Sequence, residues 1–435
     1  MPTLAIAALS ARALAQAAAR DGHTVLALDL FGDADTRRAA ARWWPVGDAD
    51  RLRIDPARLC AALHQAGEQQ AAVGWIAGSG FEADLDMLTA GAAVLPLIGN
   101  PAPVWARLQD PALFFGCLDA HGLPHPAVQR HAPADWAGWL RKDSAGSGGS
   151  RVQAAAALAA SGAAAAALPT SACYQRLAAG RPVSATFIGN GSAALLLGFN
   201  QQRVQALPGR PYAFAGVVGP VALPAAAAGV LRRALAVLVA EFGLRGLGSL
   251  DALLDGDQIS LLEINPRPPA SLLLYPRCGA LGLVDAHWQA CVLGRLPNLS
   301  ALSALPCPPG LSAGPAATGS AVAGLATVYA PHAMQIGAAA AALIAGWPGA
   351  HDLPLPGTPL AAGDPLCSLA AHGADAPAVH NRLGQQTQRL LAALVGLPVA
   401  AAAPAATAPA APAAPAAPAT TAPATPSTTP ETSAR

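Results

Sequence analysis

The chain has 435 residues, 26 Lys plus Arg against 25 Asp plus Glu, and a formal net charge of +1. That length has room for about two to four domains and a sizeable core. The near-neutral balance, with basic residues scattered, leaves no electrostatic footprint for nucleic acid. The longest apolar runs, such as residues 154–167, are interrupted or too weakly hydrophobic to cross a bilayer. Seven cysteines, Cys60, Cys117, Cys173, Cys278, Cys291, Cys307 and Cys367, stand far apart with no metal-ligand spacing. They read as reduced thiols of a cytoplasmic protein. The opening MPTLAIAALSAR has no basic stretch before its apolar run, so a signal peptide is not expected.

In chain order, LAIAAL (4–9), a helical pattern to Arg20, a DGH turn and VLALDL (25–30) form a strand, helix, strand unit. Runs at 72–77 and 93–98 extend the alternation, which predicts a doubly wound α/β domain over residues 1–98. Its first turn reads ALSAR rather than G-x-G-x-x-G, which disfavours dinucleotide binding. The loop GSGFE (78–82) follows the third strand, where open parallel sheets place ligands; a simple tight turn is the alternative. Asp29, Asp33 and Asp35 after the second strand suit a substrate amine, and a solvated loop explains them equally well.

The stretch WLRKDSAGSGGSRV holds Lys142, the sole lysine of the chain. An ammonium is a compact point charge, whereas a guanidinium is a broad planar fork, so a narrow phosphate pocket can require lysine. WLRK reads as a strand ending at the lysine. The loop after it, with Gly146, Ser147, Gly148 and Gly149, lets several backbone N–H groups converge on an anion. The order differs from a Walker A loop, in which lysine follows the glycines. A flexible surface turn beside an exposed lysine is the alternative.

Residues 246–269, GLGSLDALLDGDQISLLEINPRPP, place apolar runs on both sides of a DGD turn, which predicts a hairpin. Facing strands bring Asp251 and Glu263 together, and Asn265 shares the face of Glu263. Two carboxylates and an amide oxygen are hard ligands suited to magnesium bridging phosphates. Arg267, at the next position of that face, suits a phosphate or carboxylate. The structural alternative is that Glu263 and Arg267 merely pair at a strand end. His287, in DAHWQACV, either faces the site or fills a core position. Residues 299–395 carry the turn signals PGLSAGP, DLPLPGTPL and AAGDP and a helix near 376–394, and read as a small strand-rich domain. The Ala/Pro/Thr-rich 396–435 reads as a disordered tail.

Together KDSAGSGG and DALLDGDQISLLEINPR resemble the ATP-grasp superfamily, and the Asp251, Glu263, Asn265 spacing is similar to that of biotin carboxylase. CYQRLAAGRPVSATFIGNG resembles its adenine hinge, and LIGNPAPVWARLQDPALFFGCLDAHGLPHPAV the approach to its first lobe. The resemblance, over residues 1–298, implies α/β and α+β architecture: a Rossmann-like N-terminal domain (1–98) and a two-lobed ATP-grasp domain (99–298), before the small C-terminal domain. It implies ATP and Mg2+ as cofactors. Lys142, Gly146, Ser147, Gly148 and Gly149 would hold the phosphates, Gln175, Arg176 and Leu177 would lie near the adenine, and Asp251, Glu263 and Asn265 would hold the metal. Lys142 and Arg267 would be catalytic. Two departures stand out: Asp110-Pro111 replaces an Asp-Lys pair whose lysine touches ATP in many relatives, and Tyr174, Gln175 and Arg176 offer no acid for the ribose.

The implied reaction is carboxylate-amine ligation through an acyl phosphate, with small-molecule carboxylate and amine as partners and no nucleic acid or membrane. ALSARALA, LDLFGDADT, GSGFE, GRPVSATF and LLEINPRP resemble the predicted carboligases of methanogens and methylotrophs, some of which add glutamate to methanofuran or methanopterin-type one-carbon carriers. The alternatives are an ATP-grasp enzyme activating bicarbonate and a catalytically inactive nucleotide-binding protein. No biotin-carrier site is present, since the sole lysine lies in KDSAGSGG. Substrate identity and assembly into homo-oligomers stay open.

Overall fold

The computed structural model of the protein describes residues 1–160, 168–275, 277–278, 280–297 and 322–397. The boundary expected at 298/299, the PGLSAGP turn signal and all but the first two residues of the expected tail lie outside the described residues.

The N-terminal region is a four-stranded parallel sheet in the order Arg42–Pro45, Thr24–Asp29, Thr3–Ala7, Ala72–Ala77. Strand alternation loads both faces. Leu4 and Ile6 pack with Leu14, Ala15 and Ala18 of the helix Arg12–Arg20, while Ala5 and Ala7 face the cluster of Leu59, Leu63 and Trp75. Burial on both sides is what makes the strands read as continuous apolar runs. The run at 93–98 departs from expectation. Residues Asp86–Val94 are helical, and Leu97 meets the sheet only through a bridge to Trp75. Its alanines favour helix, and Pro96 cannot donate to a ladder. The edge strand Arg42–Pro45 has only four residues, one of them proline, too few to show in the pattern.

A second antiparallel sheet runs Val128–Gln129, Ala172–Arg176, Trp139–Asp143, Val152–Ala154. It carries the lysine and the glycine loop. The third sheet has eight strands, beginning with the hairpin strands Gln258–Asn265 and Arg245–Asp255, then Arg181–Asn190, Ala194–Leu207 and Arg210–Gly219. The helix Ala225–Phe242 covers one side, setting Leu231, Leu235, Leu238 and Phe242 among Phe187, Leu250 and Leu261.

This sheet continues into the last part of the chain. Val322–Tyr329 pairs with Arg210–Gly219, and Pro365–Gly373 and Ala350–His351 follow it. Gly216 permits the junction: its φ is +133°, and a Cβ there would stand 2.1 Å from the Leu325 carbonyl oxygen. The helix Ala376–Val395, within one residue of expectation, lays Val379, Leu383 and Leu390 on this extension.

Candidate active site

Alternation along the hairpin decides which side chains reach the site. Ser249, Asp251 and Leu253 border a cavity of about 660 Å3, while Leu250, Ala252 and Leu254 point into the core. Asp251 is the ladder partner of Glu263, and the register shifts between Asp251 and Ala252, leaving Leu262 as the extra residue. The bulge gives the Leu262 carbonyl a different use: it accepts from Lys142 Nζ at 3.1 Å.

Lys142 sits in the strand Trp139–Asp143, one residue longer than expected, and is 8% exposed. Its Nζ lies 2.6 Å from Glu263 Oε2. The strand and the hairpin, which belong to separate sheets, thus meet through this ion pair. Asn265 Nδ2 donates to Asp251 Oδ2 at 3.1 Å, and Arg267 Nη2 to Asn265 Oδ1 at 3.5 Å. The amide oxygen expected to face a metal therefore turns towards Arg267 here. Burial, followed by the charge of Glu263, raises the Asp251 pKa above the usual carboxylate range. Burial acts on Glu263 in the same sense, but the Lys142 and Arg267 charges outweigh it and hold its pKa low.

The glycine loop joins the antiparallel strands Trp139–Asp143 and Val152–Ala154, and Gly146, Ser147, Gly148 and Gly149 all border the cavity. Asp143 secures its base by accepting from the Ala145 amide (3.0 Å), Arg151 Nη1 (2.8 Å) and Ser171 Oγ (2.7 Å). The tip lies on the strand Arg210–Gly219, where the Phe214 amide donates to the Gly148 carbonyl at 3.0 Å. Gly148 and Gly149 have φ of +58° and +75°, and a Cβ on Gly149 would stand 1.9 Å from the Tyr212 carbonyl oxygen.

Gln175, Arg176 and Leu177 line the same cavity, together with Ala178. The Arg176 and Leu177 amides are taken by the carbonyls of Ala127 (2.8 Å) and Gly138 (2.9 Å), so these two N–H groups are not available to a ligand. Gln175 is buried, and its Nε2 has no hydrogen-bond partner. Pro111 opens the helix Pro111–Ala120, which Asp110 caps by accepting from the Ala112 amide at 2.8 Å. It borders a separate cavity of about 40 Å3 with Glu82, Asn265 and Arg267.

The sequence drew attention to the GSGFE loop without showing its partner. Glu82 Oε1 is 2.6 Å from Arg267 Nε, both side chains nearly buried, while Glu82 Oε2 accepts from the Gly80 amide at 2.7 Å. His287 stands away from the cavity, in the core. Its Nδ1 accepts from the Leu247 amide at 2.9 Å and its Nε2 lies 2.9 Å from the Ile98 carbonyl, which makes Nε2 the protonated nitrogen. Nor are Asp29, Asp33 and Asp35 on a solvated loop: all three are buried.

The residues fit a magnesium nucleotide. Asp251 Oδ1 is a buried oxygen with no hydrogen-bond partner, Gln175 Nε2 is an unpaired donor, and both residues line the cavity that the glycine loop borders. Among the described residues no three His, Cys, Asp or Glu side chains converge as a metal group; Asp251 and Glu263 are paired across the hairpin with Asn265 beside them. Among the described residues no helix is long and apolar enough to cross a membrane.

Residues 109–271 match the family model described as an ATP-grasp domain, and the chain carries that domain. Solved structures with this fold include the biotin carboxylase domain of a single-chain bacterial carboxylase, 20% identical, with a TM-score of 0.61 over 89% of this chain and 88% of that one. An L-amino acid ligase from Bacillus licheniformis is 13% identical, with a TM-score of 0.62 over 89% and 97%. The N5-carboxyaminoimidazole synthase from Aspergillus clavatus, in complex with ADP and its ribonucleotide, is 13% identical, with a TM-score of 0.59 over 91% and 99%. No curated protein matches the chain.

Proposed function

We propose that this protein is an ATP-dependent ligase that activates a carboxylate as an acyl phosphate and passes the acyl group to an amine, releasing ADP and phosphate. The observation that carries the reading is the convergence of Lys142, Glu263, Asp251, Asn265 and Arg267 on one cavity beneath the glycine loop. The volume of about 660 Å3 suits a nucleotide with room for a second ligand.

The adenine lies along residues 175–178, where Gln175 Nε2 and the Ala178 amide are the donors to a ring nitrogen. Lys142 neutralises phosphate charge, exchanging part of its contact with Glu263 for phosphate oxygens. Asp251, Glu263 and Asn265 would hold magnesium, which would supply charge neutralisation to the phosphates. To take part, Asn265 would have to present its Oδ1, which here accepts from Arg267 Nη2. The glycine loop excludes water that would hydrolyse the acyl phosphate, and Arg267, steadied by Glu82, offsets the charge that develops on the transferring group.

The acceptor is proposed to be an amine. Addition of glutamate in the building of a one-carbon carrier is the particular case suggested by the sequence motifs, and bicarbonate as the activated carboxylate is the competing one. A coupled ADP assay tests the reading. ADP release should require both a carboxylate and an amine, with Glu263→Gln lowering turnover by orders of magnitude and leaving the fold intact. ADP release driven by bicarbonate alone would favour the competing reading. Nucleotide binding with no turnover across glutamate, other amino acids and pterin-linked carboxylates would indicate a binding protein.

A further inference from the structure

The cavity extends past the phosphate side to the C-terminal edge of the parallel sheet, where Arg12, Asp33 and Asp352 border it. Of the carboxylates gathered there, three are engaged. Asp29 accepts from the Ala11 and Gly32 amides at 2.9 Å each and from Trp43 Nε1 at 2.7 Å. Asp35 accepts from the amides of Asp352 and Leu353 at 3.0 and 2.9 Å. Asp352 receives the Arg12 fork, Nε at 2.8 Å and Nη2 at 2.9 Å.

Asp33 differs. It is 8% exposed and precedes the helix Ala34–Ala39 without capping it. Among the described residues no donor reaches its carboxylate, and no cation lies within ion-pair distance of it. Its carboxylate faces the cavity with no protein partner among the described residues. Burial first, then the charges of Asp352, Asp29 and Asp35, push its pKa well above the ordinary range; Arg12 opposes them but is committed to Asp352.

What this end of the cavity lacks is one positive charge bearing N–H donors. A divalent metal is a poor fit, because it needs several free oxygen ligands and the neighbouring carboxylates are turned to their own donors. An ammonium brings both the charge and the donors. The adjoining walls are Leu14, Phe31, Leu360 and Leu366, which suit an organic body rather than a hydrated ion.

We infer that Asp33 recognises a protonated amino group carried on an apolar organic body, and that this end of the cavity is the amine-substrate subsite. The assignment of the amine as substrate rests on the ligase reading above; the binding of an organic ammonium does not.

The test is calorimetric titration of the full chain, held with magnesium and a slowly hydrolysed ATP analogue. The probes are n-hexylamine, benzylamine and 1,5-diaminopentane, with n-hexanol as the uncharged control. At least one amine should bind and the alcohol should not. Asp33→Asn should weaken that amine about 30-fold or more, the usual cost of losing one member of a buried charge pair, while affinity for the nucleotide analogue stays within about twofold. Asp33→Ser, which also suits a position before a helix, serves if the asparagine variant does not fold. Absence of binding by every amine, or equal binding by the variants, would overturn the inference. Asp33-dependent amine binding without ADP release would leave it standing and remove the ligase reading. Amine-dependent ADP release untouched by either variant would do the reverse.

Discussion

Glu82 and Arg267 lie 185 positions apart in sequence and 2.6 Å apart in space, Oε1 to Nε, with both side chains nearly buried. The loop after the Ala72–Ala77 strand of the parallel sheet thereby sets the guanidinium that stands beside Asn265. Arg267 has several N–H donors, and using Nε for Glu82 leaves its outer nitrogens for other partners, with Nη2 directed at Asn265 Oδ1.

Glu82→Gln keeps the shape of this contact and removes its charge. Turnover is expected to fall about 10- to 100-fold, because a slight misplacement of a charged group at the reacting centre is enough for such a loss. The Michaelis constant for ATP should move little, since Glu82 does not border the main cavity. Steady-state kinetics with ATP and the carboxylate varied in turn measure the split.

Lys142→Arg tests whether geometry or charge is needed at this position. Lys142 is 8% exposed, and its ammonium is held between Glu263 Oε2 at 2.6 Å and the Leu262 carbonyl at 3.1 Å. A longer planar guanidinium must displace the hairpin or the nucleotide, and a loss of about a hundredfold in rate is expected. Arg141→Lys, on the opposite face of the strand, should behave as the parent protein. Equal turnover in Lys142→Arg would show that charge alone suffices.

Gly149→Ala should leave the fold intact and prevent the loop from lying on its partner strand. The added Cβ would meet the Tyr212 carbonyl oxygen at 1.9 Å, and φ is +75°. A rise of about tenfold in the ATP concentration needed for half-maximal rate is expected, as backbone donors to the phosphates are misplaced. Faster proteolytic cleavage in residues 144–151 is the structural readout.

His287 predicts an acid-labile core. Burial lowers its pKa to about 4, with the bond to the Ile98 carbonyl acting in the other direction. Between the ordinary histidine value of about 6.5 and 4 the unfolded chain binds the proton and the folded chain does not, so stability falls as pH falls through that window. The loss approaches roughly 3 kcal/mol by pH 4, at about 1.4 kcal/mol per unit. Urea unfolding of the parent and His287→Gln at pH 7, 5.5 and 4 checks this: the variant should start less stable and show the shallower decline.

Much of this site was legible because its chemistry is local in sequence. The DGD hairpin brings Asp251 to Glu263 by strand pairing alone, and Asn265 follows from the two-residue period. Lys142 stands out as the sole lysine of the chain, and the adjacent glycines suit a backbone cradle whatever the surrounding fold. The strands at 3–7, 24–29 and 72–77 and the helix Ala376–Val395 follow from apolar runs and periodicity.

Tertiary structure decided what depends on elements distant in sequence. The pairing of Lys142 with Glu263, the turn of the Asn265 amide towards Arg267, and the hold of Glu82 on Arg267 are meetings of separate strands and loops, and no periodicity encodes them. The sequence left Asp29, Asp33 and Asp35 alike, suited equally to a substrate amine or to a solvated loop. Packing buries all three, supplies donors to Asp29 and Asp35, and leaves Asp33 unpaired at the cavity. Residues 322–373 likewise read as short strands, and only the close approach of backbones at Gly216 joins them to the eight-stranded sheet. A side chain's type sets which interactions it can make, and the fold decides which partner arrives to make them.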